Sequence, residues 1–392
     1  MIEKYYSGVI EQIYNRIGKE TRNIVMANYS NDFSIENLEV IRRYQSNEDN
    51  VFFAYSEFSY NTLVGAYEPF LDIICNMHRR FIGGSFDDFQ KECGVYYLHR
   101  QVLNSYYETG ECFREETVLL NEVAYEQRRM TMAIADMLKK LSEVKPLMIV
   151  INRFQMASKS SIETIKYLID NPCANIGIVL GVNAIVKGTD STVEVWDRIV
   201  ESLEDRSAIY YIGSAGPLKN NVKTTNDDEL YITMNFEQSI QEASNIMEFL
   251  DFEQARRGCR IIEHKLKFED AWIDEKSLRR FYMVYARTSV LLGEMSKAIE
   301  LTNEYKALIP ENDSEHYLSL YYFMKGTCYM YQGKLEKAGN SAKSAYDYAV
   351  LAEDDTLIFK AELLSVMIKM SGWYNIFFCV QDIPVSDEII EK

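Results

Sequence analysis

Asn152 and Arg153 stand at the end of a buried apolar run, "LMIVI" (147–151). Behind them "FQMASKSSIETIKYLI" (154–169) breaks into a polar stretch and resumes as a helical pattern. A strand ending in front of a helix is a natural place for acidic side chains that hold magnesium or orient water for phosphate chemistry. Magnesium takes its ligands from carboxylate and phosphate oxygens. Here the chain offers a neutral amide and a cation instead, so Lewis-acid help and a water-orienting carboxylate are both lacking.

The partner of such a site is a phosphate loop, G-x-x-x-x-G-K-[ST], whose glycine backbone cradles phosphates while lysine reaches the outer oxygens. The first apolar run, "NIVMA" (23–27), leads into "NYSNDFSI" (28–35) and then into the helical "ENLEVIRRYQ". The order is right, yet the loop has neither glycine nor lysine. Asn28, Asp32 and Ser34 occupy it, and Asp32 or Ser34 reads as the N-cap of the following helix. "GKET" (18–21) precedes the strand, with Ile13 where the first glycine should stand, and Gly333–Lys334 falls in the helical half. No working phosphate loop is read, no cofactor or metal is expected, and no ATP hydrolysis. An alternative stays open, in which Arg153 pairs with a phosphate and ATP binds without metal. An NTPase with atypical motifs and an enzyme of another α/β family are further alternatives. The second would need a catalytic constellation, and no Ser-His-Asp, Cys-His or paired-carboxylate arrangement is visible.

The elements that must position these residues divide the chain in two. Up to about residue 235, apolar runs alternate with helical patterns: 23–27, 51–55, 147–151, 176–182, 208–212 and "LYITM" (230–234). Continuous apolar strands separated by helices predict a parallel sheet covered on both faces, with ligands beyond the carboxyl ends of its strands. After 235 the pattern is helical. The expected organisation is an N-terminal helix (1–20), an α/β domain (21–235), helical repeats (236–385) and an acidic tail (386–392).

Bulk properties exclude other classes. The net charge of −17, with no long cluster of Lys and Arg, argues against direct nucleic-acid binding. No apolar run of about 20 residues is present to span a membrane. The first twenty residues mix charge with aromatics and lack the apolar core of a signal peptide. Seven scattered cysteines without a C-x-x-C pair fit a reducing cytoplasm and neither a disulfide scaffold nor a zinc site.

The stretch 147–169 resembles the second nucleotide motif of the P-loop ATPase domain in STAND-type signalling proteins, including MalT-like regulators. Phe154, Gln155, Ala157, Ser161 and Ile162 fit its frame, and Tyr167 and Leu168 fit the helix behind it. Asn152 and Arg153 replace the aspartates, Met156 the tryptophan and Ser158 the last aspartate. "GAYEPFLDII" (65–74) resembles the Tyr-x-Pro-Phe stretch of that family, and Asn183 stands where its next strand ends in a polar sensor residue. The resemblance covers most of 20–235. It implies a degenerate P-loop NTPase-like fold whose nucleotide-site positions are Asn28, Asp32, Ser34, Asn152, Arg153 and Asn183. In such relatives an output module often follows the repeats.

In the helical half, Gly293 is followed by Ala298, Tyr305 and Pro310, and Gly333 by Ala338 and Ala345, at the same +5 and +12 spacing. This resembles tetratricopeptide repeats, where small residues let antiparallel helices approach. "NIMEFLDFEQARRGCRIIEHKL", with Ala255 at the small position, reads as a preceding hairpin, and a third repeat near Gly372 as a truncated one. Tyr282, Tyr285, Tyr322, Tyr329 and Trp373 are candidate partner contacts on such a solenoid. The expectation is a pseudo-ATPase acting as a signalling or regulatory scaffold for a protein partner, without membrane association. Association of two copies of the chain is left open. The alternative is a STAND-type regulator that senses ATP without hydrolysis or with very slow hydrolysis, its output module lying outside this chain.

Overall fold

A computed structural model describes residues 2–29, 38–46, 50–59, 63–112, 122–183, 192–213, 235–268, 273–312 and 314–373. Asp32, Ser34, the apolar run 230–234 and the tail 386–392 lie outside them. The chain forms two compact units, Met1–Lys265 and Leu266–Lys392.

In the first unit α1 (Ile2–Arg16) leads to β1 (Ile24–Tyr29), α2 (Glu39–Ser46) and β2 (Phe52–Glu57). Then come α3 (Phe70–Met77), α4 (Phe86–Glu92), α5 (Tyr97–Thr109), α6 (Val123–Val144) and β3 (Leu147–Asn152). The order closes with α7 (Lys159–Asp170), β4 (Ile176–Asn183), α8 (Val193–Glu204), β5 (Ile209–Ile212), α9 (Phe236–Glu248) and α10 (Phe252–Phe268). Five of the six expected runs are therefore strands, and all their pairings are parallel.

The strand order is β2-β3-β4-β1-β5. From β1 the chain crosses to the β2 edge, then steps back through β3 and β4 and passes β1 to reach β5. Val25, Ala27 and Tyr29 of β1 join Phe53, Met148, Val150 and Val179 in one core with Tyr6, Val9, Ile10 and Ile13 of α1 and Val40 and Ile41 of α2. That core marks the face covered by α1 and α2. Alternate strand residues point the other way, and Ile149, Ile151, Ile178 and Leu180 are fully buried there. Right-handed crossovers place α6 and α7 on that opposite face, since these connections run in the reverse direction to the one through α2. The expected N-terminal helix is thus part of the sheet domain's core.

The first unit extends beyond the expected change at 235–236. Asn235 caps α9 by accepting the Gln238 N–H at 2.8 Å. Asn245 of α9 accepts from the Cys112 N–H at 2.9 Å and donates to the Gly110 carbonyl at 3.0 Å. The Gln127 amide donates to the Leu250 carbonyl at 2.6 Å, and Gln254 to that of Val64 at 2.9 Å. Side-chain-to-backbone bonds of this kind, together with apolar contact of Leu63 at Gly258, tie the α9–α10 hairpin to the α/β layer. Helical periodicity says nothing about which neighbour a hairpin packs against.

The second unit contains α11 (Glu275–Leu291), α12 (Met295–Ala307), α13 (Ser314–Tyr331), α14 (Leu335–Leu351) and α15 (Asp355–Trp373), each packed on the next. Gly293 and Gly333 turn the chain with φ of 78° and 73°, a conformation that costs other L-residues about 1–2 kcal/mol. Ala298, Ala338 and Ala345 are fully buried, as the repeat spacing predicts. At Gly326 an added Cβ would lie 3.0 Å from Leu364 Cδ2, 3.3 Å from Ser341 Cβ and 3.4 Å from the Ala338 carbonyl oxygen. Gly326 is therefore a close contact of α13 with both α14 and α15. Gly372 falls within the last residues of α15, and of the third repeat expected there the described residues include one helix. No helix among the described residues is long and apolar enough to cross a membrane.

Candidate functional site

Parallel register brings the ends of four strands together. Tyr29 of β1 lies opposite Asn183 of β4, Asn28 opposite Val182, and Asn152 of β3 opposite Glu57 of β2. Asn28, Asn152 and Asn183 are all buried. The sheet thus gathers Asn28, Asn152, Arg153 and Asn183 at its carboxyl edge, where open α/β sheets carry ligands. Asp32 and Ser34 lie outside the described residues.

Side chains of the protein itself occupy this edge. The Tyr29 hydroxyl donates to Asn152 Oδ1 at 2.6 Å, both groups buried. Gly181 of β4 leaves the room for this: a Cβ there would run into the Tyr6 hydroxyl and sit 2.8 Å from Asn152 Oδ1. Burial, and then the nearby Tyr55 and Glu57, push the Tyr6 phenol far above its ordinary value, so Tyr6 stays neutral. Gln155 Oε1 accepts the Asn183 N–H at 3.3 Å.

Arg153 has left-handed backbone geometry, φ 54° and ψ 39°, in the turn that ends β3. Its guanidinium reaches back across the edge to β2. Nη1 lies 3.0 Å from Glu57 Oε1 and donates to the Phe58 carbonyl at 3.3 Å. The other Glu57 oxygen, Oε2, accepts the Tyr55 hydroxyl. Both carboxylate oxygens are thereby engaged, and both partners of the ion pair are largely withdrawn from water, with side chains 21% and 18% exposed. Separating such a pair leaves a poorly solvated charge and costs about 3–5 kcal/mol when burial is complete, less here. A phosphate at Arg153 would have to share or compete for a guanidinium that already faces Glu57.

Glu57 was missed in the sequence because the apolar run was closed at residue 55, two positions short of the strand's end. Tyr29 lies just past the end of its own run. Tyr6 sits at helical spacing with Val9, Ile10 and Ile13, a signal for a buried face that does not reveal which strand lies beneath it.

The "GAYEPFLDII" stretch forms a second polar centre, distinct from the strand ends. Tyr67 is buried with φ 57°, and the Glu68–Pro69 peptide is cis. The Tyr67 N–H donates to Ser160 Oγ at 3.0 Å, and Ser161 Oγ donates to the Glu68 carbonyl at 2.7 Å. Asp251, also buried, accepts the Ser160 N–H on Oδ2 at 2.9 Å and the Gln254 N–H on Oδ1 at 3.4 Å. One carboxylate therefore caps the N-termini of both α7 and α10, where unsatisfied N–H groups and the helix dipoles favour negative charge. Burial nonetheless raises its pKa. The centre holds helices in place, and its polar groups are turned toward one another.

The partner-binding candidates fare differently from one another. Tyr285 is buried at 3% exposure and packs beside Phe281, so it is a core residue of this fold and not a presented contact. Tyr282, Tyr322 and Tyr329 are partly exposed. The Tyr322 ring stacks on Tyr348 at 5.6 Å and 5°. Trp373 closes α15, and its side chain lies outside what is described. The chain matches no known family model and no curated protein.

Proposed function

We propose that this chain is a catalytically degenerate signalling or regulatory protein that acts by binding, its first unit a P-loop NTPase-like domain and its second a tetratricopeptide-like repeat. The observation that carries the reading is how the described residues at the carboxyl edge of the sheet are engaged. Arg153 is held by Glu57, Glu57 by Tyr55, and Asn152 by Tyr29. The residues at the two carboxylate positions are thus engaged by Glu57 and Tyr29 of neighbouring strands. The repeat reading draws support from the turns at Gly293 and Gly333 and from the buried alanines at +5 and +12. A reducing cytoplasm suits the scattered cysteines. The test is ATP turnover by the full chain with magnesium. None is expected, and robust turnover abolished by Arg153→Ala would overturn the proposal.

A second reading keeps nucleotide binding without hydrolysis, as in a STAND-type sensor. It is favoured by the position of β1, inside the sheet between β4 and β5, with its outgoing crossover opposed to those of β3 and β4. If ATP takes Arg153 from Glu57, ATP raises the melting temperature equally in EDTA and in magnesium. No shift at millimolar ATP leaves the scaffold reading alone.

A further inference from the structure

We propose that the second unit carries a docking stripe for an acidic peptide segment of a partner protein, centred on Lys325. The proposal names a partner for the scaffold reading above and rests on it only in that respect. Tyr321, Lys325 and Tyr329 follow one another at four-residue spacing on α13, on one side of the helix and over about 12 Å. Lys325 Nζ donates to the Tyr321 hydroxyl at 2.8 Å and lies 5.1 Å from that ring's centroid. Lys306, from α12, lies 5.1 Å from the same centroid. At the other end Lys334 and Lys337, from the start of α14, lie 6.0 and 5.9 Å from the Tyr329 centroid.

Among the described residues none of these four lysines is in an ion pair. Their cations rest on tyrosine rings and, for Lys334, on the Gln332 side-chain oxygen. The hydrogen bond that it donates to Tyr321, and then the surrounding tyrosines, hold Lys325 above its ordinary pKa, so it remains charged. In a chain of net charge −17, with 59 acidic residues against 42 basic, four lysines outside ion pairs and gathered on two tyrosines of one helix are a local concentration of positive charge. Cation–π contacts position the ammonium groups without neutralising them. The complementary ligand is a short run of carboxylates, about four extended residues matching the 12 Å stripe.

Nucleic acid is the other polyanion to consider, and the stripe suits it less. Base recognition on a single strand needs open aromatic faces, whereas Tyr321 is buried at 2% exposure and Tyr329 is only partly exposed.

The experiment uses the full chain and a fluorescein-labelled peptide of about eight glutamates, long enough to overrun the stripe. Anisotropy is read for the wild type, for a K306Q/K325Q/K337Q variant, and for Lys4→Gln on α1 as a charge control. Circular dichroism melting confirms that each variant is folded. The expected result is salt-sensitive binding that weakens by roughly tenfold or more in the triple variant and is unchanged in Lys4→Gln. Absence of binding by the wild type at millimolar peptide, or equal affinity in the triple variant, overturns the proposal. So does tighter binding of a single-stranded oligonucleotide of equal charge, or self-association of the wild type that the triple variant abolishes, which would assign the surface to a second copy of the chain. ATP turnover leaves these outcomes untouched, so the scaffold reading and the stripe fail separately.

Discussion

Glu242 on α9 offers the most quantitative test of how the first unit is assembled. Its carboxyl meets Glu68 and Asp72, from the stretch around α3, and lies near the Tyr106 hydroxyl of α5. Gly65 leaves room for the two glutamates: a Cβ there would lie 3.0 Å from Glu242 Oε1 and 3.4 Å from Glu68 Oε2. Glu68 is anchored by accepting the Gly65 N–H at 2.9 Å, and Asp72 by the Tyr106 hydroxyl at 3.1 Å. Burial first, then the charges of Glu68 and Asp72, push Glu242 from 4.5 up to about 7. Burial also raises Glu68. Between these limits the folded chain holds a proton that the unfolded chain has released. The stabilisation is therefore complete below the unfolded value of 4.5 and is lost as pH rises through about 7. At about 1.4 kcal/mol per pH unit, the displacement amounts to about 3 kcal/mol, an upper limit because local relaxation lowers it. Glu242→Gln removes the titration and keeps the shape. Urea unfolding from about pH 5 to about pH 8, with hydrogen exchange over α9 as the local readout, should show a falling wild-type curve and a flatter variant. The variant should be the more stable of the two at the alkaline end, by up to about 3 kcal/mol. Equal slopes for both proteins, with α9 exchange insensitive to pH, would refute the reasoning.

Two further outcomes follow from packing. Asp251→Ala removes the acceptor shared by the Ser160 and Gln254 N–H groups and should destabilise the first unit by about 2–4 kcal/mol, read by urea unfolding and by faster exchange at the starts of α7 and α10. An unchanged midpoint would mean that the double cap contributes nothing. Gly326→Val places side-chain atoms against Leu364, Ser341 and the Ala338 carbonyl, and should cost about 1–3 kcal/mol through overpacking, visible as a lower melting temperature of the helical unit.

The sequence by itself determined the local elements, because periodicity and turn chemistry are local. Five apolar runs became parallel strands, and the glycine-to-alanine spacing around Gly293 and Gly333 placed turns and close helix contacts correctly. It also determined that Asn152 and Arg153 end a strand where acidic residues would be needed to hold a metal. Tertiary structure alone decided which groups those residues meet. Glu57 reaches Arg153 because β2 and β3 are neighbours in register, although 96 positions of chain separate the two residues. Tyr29 reaches Asn152 across β4, where Gly181 leaves room beside the Tyr6 hydroxyl. Tyr285 has the same type and helical spacing as its partly exposed counterparts, and only the packing of α11 buried it. The α9–α10 hairpin reads as a repeat by its pattern, yet Asn245, Gln254 and Asp251 commit it to the α/β layer through bonds to residues far away in the chain. Hydrogen-bond partners and neighbour identity are properties of the folded chain, since a side chain's type states what it can bond and the fold selects what it does bond.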